Sequence, residues 1–204
     1  QATQVILTDS VSSLLAQAHA LLKNQRHICA AAAGLPEQGK LVGFLPEIID
    51  DINRSQLFRW IIVEADGAAG RPLKVPADHE PVIPASTTHV VGLVGLNAVG
   101  RPLNERWVFR HRQFREVTGL ELGTDVTDTA VIDVLVKENG IFKQAPVKAA
   151  RLVFCNQADI PENLAAGRRI AQILRKKKNT GLMRLVIGQT LCDPPILEVH
   201  DLNA

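Results

Sequence analysis

The sequence predicts an α/β domain built on a three-layer, mostly parallel sheet. Three observations carry that expectation. Hydrophobic residues make up 46% of the chain, yet aromatics reach only 4% and Tyr is absent. A core of Val, Ile, Leu and Ala suits strands buried on both faces. Short aliphatic runs alternate with segments of helical spacing. Capping residues, prolines and glycines mark the ends of those segments. At 204 residues the chain fits one domain, residues 1–204, and a chain of this size buries roughly 70% of its unfolded surface without staples.

The elements follow in order. Asp9 or Ser10 caps a helix running to about Asn24, with Leu14, Leu15, Ala18, Leu21 and Leu22 on one face. Residues 28–33 form an apolar run ended by Gly34 and predict a short strand. Pro46 opens a helix through about Ile52. Residues 60–63, Trp-Ile-Ile-Val, predict a buried strand that stops at acidic residues and Gly67. Pro72, Pro76, Pro81 and Pro84 make the next stretch a stiff, irregular loop. Residues 89–96 predict a strand, 104–117 a helix, and Thr127 caps another helix through about Glu138. A strand at 152–155, a helix from Pro161 to about Lys178, and strands at 185–187 and 196–199 complete the chain. Ligands of such sheets bind beyond the carboxyl ends of the strands. That rule points to the residues after Val63 and after Cys155.

Charge and cysteine content narrow the function classes. The formal net charge is +2, which selects no partner. The cluster Arg168, Arg169, Arg175, Lys176, Lys177 and Lys178 reads as a solvated helix face and a basic last turn. No aromatic interleaves it to stack on bases, which argues against nucleic acid. Cys29, Cys155 and Cys192 are few, far apart and in apolar surroundings, and predict buried free thiols in a reducing, cytoplasmic compartment. No apolar run reaches the ~20 residues of a membrane span, and no signal peptide is visible. The chain opens at Gln1 without Met, which predicts missing upstream sequence.

The chemistry concentrates in residues 64–84. In an extended segment Glu64 and Asp66 point the same way. Two such carboxylates suit a hydrated Mg²⁺ that bridges to phosphate. Gly67 allows close backbone approach. The same four residues equally describe an Asp-Gly turn ending a strand. Arg71 and Lys74 can neutralise phosphate, and His79 can ligate a metal or move a proton near neutral pH. A long, stiffened loop inside a compact domain is a functional signal. After the 152–155 strand, Asn156 and Asp159 can read a purine base, with Asn156 bracing the loop. Gln157 stands where a lysine would cover the base. A plain turn with Asp159 as helix cap fits these residues too. Gly34-x-x-x-x-Gly39-Lys40 has the spacing of a phosphate loop but lacks its mechanism. Leu41 offers no hydroxyl, Pro36 removes an N–H, and Gly43 and Pro46 block a helix behind the lysine.

The run Val63-Glu64-Ala65-Asp66-Gly67, continuing through Gly70-Arg71-Pro72-Leu73-Lys74-Val75-Pro76-Ala77-Asp78-His79-Glu80-Pro81 to Pro84, resembles the signature of the YqeC family. These are accessory proteins of selenium-dependent molybdenum hydroxylases. Gly39 to Gly43, the stretch from Gly92 to Leu103, Thr118-Gly119 and Asn156-Gln157-Ala158-Asp159 agree as well. The resemblance implies a P-loop NTPase-like fold whose glycine-rich loop, with its Lys-Thr, lies before Gln1. It implies ATP or GTP with Mg²⁺ as cofactors of the full-length protein. Asp66 would then be the Mg²⁺ carboxylate with Glu64 beside it, Lys74 and His79 signature residues, and Asp159 the base reader braced by Asn156. The partner implied is a selenium-dependent molybdenum hydroxylase or a cofactor-handling protein. These 204 residues alone are then expected to bind nucleotide poorly, because backbone N–H groups of such a loop supply most of the affinity. Two other functions remain open: a non-catalytic protein that presents the loop to a partner or cofactor, and a metal-dependent phosphohydrolase using Glu64, Asp66 and His79.

Overall fold

The computed structural model of the chain describes residues 5–202, so the expectation about the opening at Gln1 lies outside the described residues. The chain divides into two compact units, Gln1–Val63 with Pro84–Ser86, and Glu64–Ile83 with Thr87–Ala204.

The first unit contains β1 (Val5–Leu7), α1 (Val11–Leu21), β2 (Cys29–Ala31), β3 (Ala33–Leu35), β4 (Lys40–Val42) and α2 (Pro46–Arg54). Ser10 caps α1 by accepting from the Ser13 N–H, and Pro46 opens α2. Strands β1 and β2 pair in parallel, while β3 and β4 form an antiparallel hairpin. Its small core gathers Ile6, Leu14, Ala18 and Ile52. Gly34, Gly39 and Lys40 all belong to the β3–β4 hairpin, with Gly39 left-handed at φ 60°. No helix follows the lysine directly, so this segment is not a phosphate loop.

The second unit contains β5 (Leu73–Lys74), β6 (His89–Gly95), β7 (Val108–Phe109), α3 (His111–Thr118), α4 (Asp128–Val136), β8 (Ala150–Asn156), α5 (Pro161–Lys176), β9 (Arg184–Gly188) and β10 (Ile196–Asp201). Its main sheet has the order β10-β9-β8-β6. The β6, β8 and β9 ladders are parallel and β10 is antiparallel to β9. Val94, Val153, Cys155, Leu185 and Ile187 point to one core with Ile170 and Leu174 of α5 and Val131 and Leu135 of α4. On the opposite face Val91, Leu93 and Val199 are more than half exposed. The chain is therefore α/β with mixed sheets, and the helices of this unit cover one face of its main sheet, where three layers were expected.

Two predicted elements are corrected. Residues 60–63 form no strand; Trp60 is 73% exposed and Ile62 95%. A strand needs a neighbour to complete its backbone hydrogen bonds, and among the described residues none pairs with this run. The helix predicted for 104–117 begins only at His111. Asn104 Oδ1 accepts from Arg106 N at 3.0 Å, which turns the chain locally. Arg110 is left-handed at φ 60° and separates β7 from α3. The helix capped by Thr127 and the helix opened by Pro161 form where the local signals placed them.

The cysteine expectation holds for one residue. Cys155 is buried, and burial pushes its thiol up to about 12. Cys29 and Cys192 are exposed, because the strands and turns that carry them are short and lie at the surface. Arg168 and Arg169 are paired with Glu198 and Asp128, while Arg175 to Lys178 are exposed. Among the described residues no helix is long and apolar enough to cross a membrane.

Candidate functional site at the carboxyl edge of the main sheet

Residues 64–83 fold against the carboxyl end of β6. Gly95 N, at the end of that strand, donates to Pro72 O at 2.8 Å. Leu73 and Lys74 then pair with Val108 and Phe109. This short ladder places Lys74 beside Phe109, its register partner, and beside Arg110, which follows. Lys74 is 7% exposed, and its ammonium sits 5.6 Å from the Phe109 ring centre.

A buried ammonium has three N–H donors to place, and all three have acceptors. Lys74 Nζ lies 2.7 Å from Gly67 O, 3.0 Å from Asp66 Oδ2 and 2.7 Å from Glu80 Oε2. Glu80 also takes a bidentate grip from Arg110, with Nη2 to Oε1 at 3.0 Å and Nη1 to Oε2. Arg110 above all, with Lys74 beside it, holds the Glu80 carboxyl down at about 2. Two cations and two carboxylates thus close a neutral quartet around the Asp66–Gly67 turn. Arg110 lies in a segment that reads as helix, and nothing in its sequence setting announces this contact.

The remaining predicted residues are placed as follows. Glu64 is exposed, with Oε1 near the Gly67 backbone, and Asp66 is drawn onto Lys74, so the two carboxylates do not share one strand face. Arg71 bonds the carbonyls of Glu105 at 3.2 Å and Ala69 at 2.5 Å. His79 is exposed, its Nε2 3.7 Å from Glu80 Oε1. Asn156 Oδ1 accepts from Thr190 N at 3.1 Å and from Thr190 Oγ1 at 3.3 Å, which is a brace between two loops. Asp159 is exposed. Among the described residues no group of three or more His, Cys, Asp or Glu side chains is arranged to hold a metal ion. Glu64, Asp66 and His79 therefore form no three-ligand centre.

The structure does bring the two predicted segments together. A Cβ added to Gly95 would fall 2.5 Å from Gln157 Oε1 and 2.8 Å from Pro72 Cα. Residues 64–83 and the segment after β8 meet over this glycine, at the edge where α/β sheets place their ligands. Gly95→Ala is accordingly expected to cost about 1–3 kcal/mol through overpacking. Its unfolding midpoint in urea, set against that of Gly43→Ala, where nothing lies within 4 Å, checks this.

The family model described as YqeC protein matches residues 2–112. The uncharacterized protein YqeC of Escherichia coli (strain K12) is 34% identical over 139 residues, 68% of this chain and 54% of that protein. The chain spans about half the length of this relative. No solved structure matches.

Proposed function

The chain belongs to the YqeC family, and from that premise we propose that it forms part of a nucleotide site in an accessory protein. The nucleotide is ATP or GTP with Mg²⁺, bound at the carboxyl edge of β6 and β8. The observation that carries this reading is the meeting of the 64–83 loop and the 156–159 segment over Gly95. One segment offers carboxylates and Arg71, suited to phosphate and metal. The other offers exposed Asp159, suited to a base, with Asn156 bracing the loop against Thr190. The fold that goes with it is P-loop NTPase-like, and the location cytoplasmic. A selenium-dependent molybdenum hydroxylase as partner rests on family resemblance alone.

The residues present fit a hydrated Mg²⁺, which keeps several waters and needs only one or two carboxylates. Asp66 offers the oxygen not turned to Lys74, and exposed Glu64 can orient a water. When bound, the ion would neutralise phosphate charge. Lys74 has no donor left for phosphate; in this reading it holds the Asp66–Gly67 turn, and Arg71 or His79 meets the anion.

Calorimetry on the full-length protein with MgATP and MgGTP tests the proposal. Binding of one of them, weakened about tenfold or more by Asp66→Ala, is the expected result. Absence of binding by wild type sinks it. If the full-length protein releases no phosphate that Asp66→Ala abolishes, while partner pull-down survives, the non-catalytic, partner-presenting function is favoured instead.

A further inference from the structure

Two carboxamide oxygens at this edge are buried without a donor among the described residues. β6 ends at Gly95, whose register partner is Asn156, the last residue of β8. Asn97 stands two residues beyond Gly95, and Gln157 stands one beyond Asn156. Asn97 Oδ1 and Gln157 Oε1 are both buried, and neither accepts a hydrogen bond from a described residue. A buried acceptor without a donor lowers the stability of the free protein. Neighbouring Asn156 is different, because its oxygen is spent on Thr190.

Gln157 carries a second cost. Its backbone is left-handed at φ 68°, a region that penalises any residue with a Cβ. The surroundings hold it there. Asn163 Nδ2 donates to the Gln157 carbonyl at 2.7 Å, and Ala158 N donates to Gly188 O at 3.0 Å. Strain that neighbours over-determine is characteristic of ligand sites. Here it sets the carboxamide oxygen against Gly95, between β8 and the 64–83 loop.

We propose that Asn97 and Gln157 are the pair that reads the base of the bound nucleotide, accepting hydrogen bonds from its amino or ring N–H groups. The inference rests on the nucleotide reading above and assigns its specificity to residues outside the carboxylate cluster. The reason is chemical. Ionised phosphate offers no donors, so two bare acceptors cannot be meant for it, whereas a purine edge presents N–H groups. A site built to pair with such groups discriminates strongly against ligands lacking them.

The test uses full-length wild type, Asn97→Leu and Gln157→Met, titrated with MgATP, MgGTP and inorganic triphosphate. Each variant is expected to lose about tenfold or more in affinity for the nucleotide that wild type prefers, with triphosphate affinity unchanged. The ligand-free melting temperature of Asn97→Leu should stay level or rise, since an unpaired buried oxygen has been removed. Unchanged nucleotide affinity in both variants overturns the pair and means that internal water satisfies the two oxygens. Equal losses for nucleotide and triphosphate overturn it too, since the whole edge has then shifted. If wild type binds no nucleotide, the nucleotide reading fails and takes this pair with it. Should Gln157→Met not fold, the side-chain amide NMR signals of wild-type Asn97 and Gln157 decide. They move with nucleotide and stay with triphosphate if the pair reads the base; any other pattern refutes it.

Discussion

Replacing Lys74 by methionine is expected to destabilise the chain by about 3 kcal/mol, seen as a lower midpoint in urea unfolding. Methionine keeps the apolar stem but removes the ammonium that touches Gly67 O, Asp66 and Glu80 together. The two carboxylates, each 18% exposed, would lose their shared cation, and Arg110 would remain bonded to Glu80 alone. Breaking a buried pair costs more than the pair contributes, because a charge is left without compensation. The figure stands at the lower end of the usual range because both carboxylates retain some contact with water. A lysine free to sense phosphate would behave differently: its loss would spare stability and change only ligand binding. The unfolding midpoint therefore separates a lysine that builds the turn from one that meets the ligand.

The second large effect is loss of stability in acid through Glu80. Its carboxyl is lowered from the ordinary 4.5 to about 2, first by the Arg110 fork and then by Lys74. A carboxyl depressed by folding favours the folded state fully above its unfolded value. That contribution fades as pH falls from 4.5 toward 2 and is gone below the folded value. A depression of this size corresponds to as much as about 3 kcal/mol. Asp50, lowered by the Ser86 hydroxyl, and Glu198, lowered by Arg168, fade in the same direction. Glu80→Gln isolates the one contribution. Its stability should be lower than wild type at neutral pH, with the difference shrinking as pH approaches 2. A constant difference across that window would show that the Arg110–Glu80 contact does not persist in solution.

Local elements were legible in the sequence because their causes are local. A helix cap is a hydrogen bond spanning three residues, so Ser10 and Thr127 could be read directly. Proline at the first turn gave α2 and α5. The strand over 152–155 lengthened to Ala150–Asn156 and kept its place, with Val153 and Cys155 buried and Leu152 and Phe154 only partly so. The failed phosphate loop was equally readable, since Leu41, Pro36 and Gly43 each remove a named part of that mechanism. The loop of 64–84 was found from its prolines and its mixture of charges.

What the sequence by itself determined is the α/β alternation, the helix ends and the position of the acidic, proline-rich loop. The tertiary structure alone decided which residues meet. Residues 60–63 have the composition of a buried strand, but a ladder needs a partner that no local pattern specifies, and Ile62 stands 95% exposed. Lys74 looked like a cation for phosphate until Arg110 and Glu80 closed around the turn it holds. Pro72 and Gln157 are 85 residues apart in sequence (157 − 72) and are joined only because Gly95 has no side chain. Periodicity and capping report what a segment prefers. Burial, ion pairing and close backbone approach are set by distant segments, and those contacts made two stretches of sequence into one candidate site.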